Sequence, residues 1–417
     1  MKKVLIIVEN LPVPFDRRVW MEATTLRRAG CHVSVICPKG NGFEEAYEVI
    51  EDIHIYRHPL PPEESSVVGY LREYAWAVGW QFRLARKVWK EQGFDVIHIC
   101  NPPDLLFLTA TWFKLFHKAK IVFDHHDLSP EMYIAKYNRR DIFYFGLLCA
   151  ERLTYMAADI VISTNESHKE VALTRGGKRS ENVFIVRSGP DLSRFHLMPT
   201  DDRYRKERRY LVGYMGIMGE PEGIDYLLRA IRHITTEKAR HDIHFMLIGS
   251  GPAADSLRKM AVDLGISDFV EFTGFQTGED LLSRLSSCDV CVEPSPTSAY
   301  NENCTMNKIL EYMALGKPIV QFDLREGRRS AQNASLYAKP NDEIEFAEKI
   351  VELVDDPSQR ATMGKEGRFR METMLEWQHQ VPKLLEAYET IGILTTEPTQ
   401  TRQIDRELVK SQPSQTI

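Results

Sequence analysis

The sequence contains no apolar run of the roughly 18 residues that a bilayer-spanning helix requires. Its nearest approach, LLFLTATWFKLF at 105–116, is shorter and carries Lys114, so it reads as a buried or interfacial helix. The seven cysteines are scattered. Their one close pair, Cys288 and Cys291, sits in a strand-like apolar stretch with no second pair, which argues for core packing and against a zinc site or a disulfide framework. Three phosphate or nucleophile signatures are also missing. There is no G-x-G-x-x-G after the first strand, no P-loop and no G-x-S-x-G, which removes NAD binding, Walker-type chemistry and a serine-hydrolase elbow. Met1-Lys-Lys leads straight into VLIIV and not into a signal-peptide apolar region, so the expected compartment is reducing and cytoplasmic.

What is present suits a globular chain: 417 residues, 43% hydrophobic and 27% charged. Single cores stop growing beyond roughly 250–300 residues, so two or three domains are expected. The net charge of −6 is unevenly spread. Over 1–195, 26 Lys and Arg face 24 Asp and Glu, whereas 27 face 35 over the remainder. That asymmetry is too mild for a nucleic-acid groove, and it would suit an N-terminal half near an anionic surface.

β-Branched runs alternate with amphipathic stretches, the pattern of βαβ units on a parallel sheet. The first series places strands at 3–8, 32–37, 95–100, 120–123, 159–163 and 183–186. The polar segment HLMPTDDRYRKERRY, 196–210, breaks the rhythm and reads as a linker. A second series has strands at 211–216, 243–248, 269–272, 289–292 and 317–321, with helices at 223–235, 252–264, 279–287 and 306–315. The expected α/β architecture is two Rossmann-like parallel-sheet domains, 1–195 and 211–372. A helix at 373–394 follows, packing back toward the first domain, and then a disordered tail over 395–417. Ligands of open parallel sheets bind beyond the carboxyl ends of the strands, so the site is expected in the crevice between two such domains.

The richest stretch is EPSPTSAYNENCTMNKILEYMALGKPIV, 293–320, where a polar loop runs to Asn303 and a helix starts near Thr305. The unpaired amides of Thr305, Met306 and Asn307 can hold a phosphate, and Lys308 in the first turn adds charge. Glu311, one turn on, can accept hydrogen bonds from a ribose diol. The plain alternative is a capped surface helix with solvated Lys308 and Glu311. Gly249 and Gly251 open a helix after HFMLI and permit close backbone approach, and Gly216 ends an earlier strand. Arg17 and Arg18, in the Pro-containing segment LPVPFDRR, either contact a phosphate or pair with Asp16 and Glu22. Residues 70–90 interleave Trp76, Trp80 and Phe82 with Arg83, Arg86, Lys87 and Lys90 as an interfacial helix does, and 142–156 adds apolar surface. Covering a sheet is the simpler role for both.

Taken in order, these segments resemble the GT-B glycosyltransferases of family 4, retaining enzymes that use nucleotide-diphosphate sugars. The resemblance covers the chain to about residue 392. It rests on NLPVPFDRRVW and LRRAGCHVSVICPKG within 10–40, FDVIHICNPPDLL at 94–106, FDHHDLSPE at 123–131 and AADIVISTNES at 157–167. It continues through VRSGPDLSRF at 186–195, YMGIMG and EGIDYLLRAI within 214–231, LIGSGP at 247–252, VEFTGF at 270–275 and LEYMALGKPIV at 310–320. The resemblance implies a nucleotide-sugar donor held mainly by the C-terminal domain without a metal or other cofactor, and a glycan or lipid-linked acceptor at the N-terminal domain. It gives Glu311 the ribose contact, the loop at Gly274 the nucleobase, and His126 the donor sugar or reaction centre, with Asp127 as a candidate to orient His126.

Two positions depart from the family pattern. The first glutamate of the E-x7-E element falls on Asn303, so either Asn303 or its neighbour Glu302 faces the sugar. The Arg and Lys that clamp the diphosphate in relatives fall on Ile217 and Glu222, which shifts that task to Lys308, the helix amides and Arg328, with Arg329 read as an ordinary exposed loop residue. The implied function is glycosyl transfer, with retention, in surface polysaccharide or glycolipid assembly, by a cytoplasmic protein in peripheral contact with the inner membrane face. A sugar-nucleotide epimerase of the same fold and a catalytically silent nucleotide-binding scaffold are the rival readings.

Overall fold

A computed structural model describes residues 1–60, 67–102 and 104–394. The tail expected over 395–417 lies outside the described residues. The chain divides into two compact units. Unit 1 comprises Met1–Pro130, Arg139–Val186 and the chain from Val381 onward, and unit 2 comprises Glu131–Asn138 and Arg187–Gln380. Among the described residues, no helix is long and apolar enough to cross a membrane.

Unit 1 holds an eight-stranded sheet in the order β3-β4-β2-β1-β5-β6-β7-β8. The strands are β1 Lys3–Ile7, β2 His32–Pro38, β3 Tyr47–Ile50, β4 Ile53–His58, β5 Val96–Cys100, β6 Lys120–His125, β7 Ile160–Ser163 and β8 Val183–Ile185. All neighbours pair in parallel except the β3–β4 edge. Between them run α1 Arg17–Arg28, α2 Val67–Glu91 and α3 Leu106–His117, then α4 Ser129–Tyr137, most of whose residues are assigned to unit 2, and α5 Ile142–Ala157 and α6 Glu166–Thr174. Helices on both faces explain why VIHIC of β5 and IVIS of β7 are buried at every position and read as continuous apolar runs without alternation. Asp16 caps α1 by accepting from the Val19 amide at 3.1 Å. Chain order reverses between β1 and β5, which makes that gap the topological switch point of the unit.

Unit 2 repeats the logic in six parallel strands ordered β11-β10-β9-β12-β13-β14. They are β9 Tyr210–Met215, β10 Ile243–Ile248, β11 Val270–Gly274, β12 Val290–Glu293, β13 Ile319–Phe322 and β14 Ser335–Ala338. The helices are α7 Ile224–Thr236, α8 Ala254–Asp263, α9 Gly278–Ser287, α10 Asn307–Ala314, α11 Arg325–Ala331, α12 Glu343–Asp355 and α13 Pro357–Arg370; α14, Trp377–Thr390, is assigned to unit 1 from Val381 onward. α7 shows why such segments become helices. Ile224, Leu227, Leu228, Ile231 and Ile234 recur at three- and four-residue spacing and are all buried against the sheet. Each such side chain contributes about 1.5–3 kcal/mol by leaving water. The switch point lies between β9 and β12.

Several expectations need correction. Residues 196–210 are not a free linker. Within unit 2 the Met198 and Asp201 amides donate to Ser286 and Ser287, and Arg205 pairs with Asp289 at 2.5 Å. The unit boundary falls at Val186–Arg187 and not near 195. The helix expected over 373–394 is broken. A π-turn over Met371–Leu375 ends at Glu376, whose ψ of 161° is extended, and α14 starts afresh at Trp377. Strands β3, β4 and β14 were not expected.

Candidate active site

In unit 2 the sequence candidates gather at the β9/β12 switch point. β9 runs out at Gly216, where a Cβ would stand 2.7 Å from Tyr214 Oη and 3.2 Å from Lys308 Cε, so only glycine lets that turn lie against the side chain from α10. A Cβ on Gly249 would meet the Gly216 carbonyl, and one on Gly251 would stand 2.6 Å from Met218 O. These two glycines therefore lace the β10 turn to the β9 turn. Gly249 N also donates to Gly274 O at 2.9 Å, where Gly274 ends β11 with φ +75°. The carboxyl ends of three adjacent strands are thus pinned together by backbone contacts.

α10 begins at Asn307, two residues later than expected, because Cys304 and Met306 are extended. Met306 is its N-cap and supplies no side-chain hydrogen bond, and Thr305 precedes it in the extended segment. Met306 therefore offers the first-turn amides of α10 no side-chain acceptor at the positive end of the helix. Glu311 follows one turn on, half-buried.

Lys308 departs most from expectation. It is buried, and its Nζ contacts Glu222 Oε2, lies 3.5 Å from Glu293 Oε1 and 3.4 Å from Tyr214 Oη. Tyr214 in turn donates to Glu222 Oε2 at 3.2 Å. Burial would strip the ammonium of its proton, but Tyr214, Glu222 and Glu293 outweigh it and hold Lys308 charged. Burial pushes the Glu293 carboxyl up against the pull of Lys308. The charge of Lys308 is thus already matched inside unit 2 and is not the open phosphate clamp it was expected to be.

Glu302 and Asn303 lie in a short 3-10 turn, Asn301–Asn303, that replaces the expected plain loop. Glu302 accepts from Thr297 Oγ1 at 2.9 Å and from the Arg325 amide at 2.9 Å, so both of its oxygens are engaged in tying the loop to α11. Asn303 donates to Ala299 O at 2.7 Å and accepts from Arg325 at 3.5 Å. The loop is anchored by Asn301, which is buried and donates to Pro221 O and Pro296 O. Arg328 leaves the group. It pairs with Asp323 at 2.5 Å, stacks on Tyr337 and lines a shallow cavity with Gln332 and Gln359. Arg329 pairs with Glu326 at 2.6 Å.

In unit 1 a second polar cluster is buried beside the β1/β5 switch point. Arg18 grips Asp124 with two hydrogen bonds, Nε to Oδ2 at 2.9 Å and Nη2 to Oδ1 at 2.7 Å, and also donates to Val186 O at 2.8 Å. Glu22 Oε1 lies 3.2 Å from the same guanidinium. Of the phosphate and pairing readings for Arg18, the structure shows the pairing, with Asp124 as the main partner and Asp16 given over to the helix cap. Arg17 is exposed. His126 follows β6 on the same side as Asp124, two residues away, and its Nε2 touches Asp124 Oδ2. Asp124, and not Asp127, is therefore the carboxylate that orients the ring. Arg18 Nε also lies 3.0 Å from His126 Nε2, so that nitrogen is held between the guanidinium and the carboxylate; because an ionised Asp124 can only accept, we assign the proton to Nε2 and the lone pair to Nδ1. Asn101 Oδ1 fixes the backbone by accepting from the His126 amide at 2.8 Å. His125 faces the other way, against Tyr155 and His168, and burial holds its pKa well down.

Burial would raise the Asp124 carboxyl, but Arg18 and His126 hold it well below the ordinary range. Glu22 goes the other way, raised first by burial and then by Asp124, against Arg18. Within the pair the proton is therefore held more tightly by Glu22 than by Asp124. Glu22, His98, Cys100 and Asp124 bring ligand-type atoms within 4.8 Å of one another. The donor chemistry does not suit a cation. Both Asp124 oxygens are taken by Arg18, burial keeps the Cys100 thiol protonated, and His98 Nδ1 is engaged by Tyr388 Oη at 2.7 Å.

With this geometry in view, comparison with known proteins is decisive. The model of the glycosyl transferase 4-like domain matches residues 16–187, and that of glycosyl transferases group 1 matches 209–356. The chain belongs to the group 1 glycosyltransferases. Its relatives include alpha-D-kanosaminyltransferase of Streptomyces kanamyceticus, 29% identical over 39% of this chain and 41% of the relative. Another is a GDP-mannose-dependent monoacylated alpha-(1-6)-phosphatidylinositol monomannoside mannosyltransferase of Corynebacterium glutamicum, 26% identical over 51% of this chain and 55% of the relative. The matched segments thus span about half the length of these two relatives. Among solved structures, sucrose-phosphate synthase of Thermosynechococcus elongatus superposes with a TM-score of 0.76 at 20% identity, covering 95% of this chain and 100% of that one. The fold is GT-B.

In this glycosyltransferase the residues that sequence reasoning missed are Asp124 and Asn101 in unit 1, and Tyr214, Glu293 and Asn301 in unit 2. All but Asn301 lie within one residue of a strand's carboxyl end. That position was the available signal, since side chains there reach the site side of a parallel sheet.

Proposed function

We propose that the protein transfers a glycosyl group from a nucleoside-diphosphate sugar to a glycan or lipid-linked acceptor, with retention and without a metal, in surface polysaccharide or glycolipid assembly. The observation that carries this reading is the start of α10, which has no side-chain cap and lies against the Gly216 turn at the β9/β12 switch point. Backbone amides there suit a diphosphate and need no cation. The Corynebacterium relative, whose name specifies GDP-mannose and a phosphatidylinositol mannoside, supports the donor and acceptor classes. In this reading Glu311 holds the ribose and Asn303 the sugar, while Glu302 holds the loop. His126 offers its Nδ1 lone pair to a sugar hydroxyl, and the acceptor oxygen attacks the anomeric carbon as the diphosphate leaves. The protein works in the cytoplasm, in peripheral contact with the inner membrane face.

The test has two stages. Nucleoside diphosphates are screened by thermal shift, with selective stabilisation by one base expected. The matching sugar donor is then incubated with and without acceptor, and the product's anomeric configuration is read by NMR. Conversion of the sugar with donor alone would mean an epimerase. Nucleotide binding with no turnover by the intact protein would mean a silent scaffold.

A further inference from the structure

The outer faces of α3 and α5, neighbours on unit 1, are apolar where a solvated helix would be charged. Lys114 of α3 ties the two together, donating to Ala157 O at 2.8 Å and to Asp159 at 3.0 Å. α5 buries Ala150, Glu151, Thr154 and Tyr155 against the sheet. Its other side exposes Ile142 (80%), Phe145 (60%), Leu153 and Met156 (67%), whose spacing of three, eight and three residues keeps them on one stripe. Leu115 and Phe116 of α3 add two more, 72% and 68% exposed. Such a stripe along two packed helices is not the scatter of single apolar residues normal for a surface.

Among the described residues, the uncompensated charges around it have one sign. Arg152 is exposed, with no partner among the described residues, and Arg140 only stacks on Tyr144. Arg86 of α2 lies over Trp112 of α3 at 5.9 Å, and Lys118 ends α3 exposed. The nearby acids are used internally. Asp141 caps α5, Glu151 is buried and accepts from Arg175, and Asp159 holds Lys114.

We infer that this α3–α5 face docks onto an anionic lipid bilayer, its apolar stripe entering the headgroup boundary and Arg140 and Arg152 pairing with lipid phosphates. The inference deepens the lipid-linked acceptor reading and rests on it. A second copy of the chain fits less well, because a two-fold contact through the same face would bring like cations together.

The experiment uses the full chain and sucrose-loaded vesicles of phosphatidylcholine, with or without phosphatidylglycerol, read by co-sedimentation. Binding is expected only with phosphatidylglycerol. Each cation near the surface is worth about 5-fold, so Arg140→Ser with Arg152→Ser should weaken binding about 30-fold. Phe145→Ser with Met156→Ser should abolish it with both cations in place. Cys149, the one exposed cysteine of seven, lies on the stripe, and an environment-sensitive dye there should brighten with anionic vesicles. All four substitutions are at exposed positions and should leave the melting temperature, and its shift by nucleoside diphosphate, unchanged. That second readout keeps failure of this inference distinct from failure of the donor reading. The inference is overturned if the wild type does not sediment with phosphatidylglycerol vesicles or if the variants sediment equally. It is overturned too if the apolar variant merely converts a dimer to a monomer.

Discussion

Glu222→Gln should tighten binding of a nucleoside diphosphate. Glu222 is partly exposed, touches Lys308 and shares Tyr214 with it, so its charge stands beside the first turn of α10. For a phosphate on the α10 amides, taking a separation of about 7 Å from that carboxylate and an effective dielectric of 20–40, one unit of repulsion is worth about 1–2.5 kcal/mol. Removing it predicts affinity rising about 5- to 70-fold. The neutral side-chain amide of the variant can still accept a hydrogen bond from Lys308, and Glu293 remains as a counter-charge, so the stability loss should stay near about 1 kcal/mol. Titration calorimetry with the diphosphate and the unphosphorylated nucleoside separates the effect from reshaping of the pocket, since the nucleoside should bind wild type and variant alike. Unchanged or weaker diphosphate binding by a folded Glu222→Gln protein would refute the placement of the phosphate at this helix start.

Three further outcomes follow from the buried groups. Arg18→Gln leaves Asp124 buried without its guanidinium, so denaturant unfolding should show a loss of about 3–5 kcal/mol, whereas a surface phosphate ligand would lose binding without stability. Asp124→Asn should leave donor affinity unchanged, lower the transfer rate and redistribute the His126 tautomers, seen in the imidazole nitrogen shifts, because it weakens the acceptor that holds the Nε2 proton. Burial raises Asp104 from 3.8 to about 6, against Ser129 and Asn101. The folded protein therefore binds the extra proton, and this group's stability contribution is full below its unfolded pKa and lost as pH rises to about 6, by up to about 3 kcal/mol. Asp104→Asn should lack that slope, so its melting temperature should gain on the wild type between pH 4 and 6.

The apolar strands and helices of both sheets were legible because helices cover both faces, which leaves uninterrupted runs such as VIHIC and a clean stripe in α7. β4 escaped notice for the opposite reason. Its Arg57 and His58 are buried, held by Glu48 and Glu9, and in a sequence they look like surface. The same limit governs the site. Which residues stand near α10 could be read from motifs, but the state of charge could not, because it depends on pairs distant in the chain. Arg18 and Asp124 are 106 residues apart, and Lys308 and Glu222 are 86 apart. A lysine in the first turn of a helix looks like an anion clamp until its neighbours are known. Here two carboxylates reach it from the ends of adjacent strands or the turn that follows. The absent cationic clamp and the neutralised Lys308 are then one feature. Glu222, at the position where the family resemblance implies a cation, both adds a negative charge and neutralises Lys308, and in the proposed reading the helix start supplies the attraction for a diphosphate.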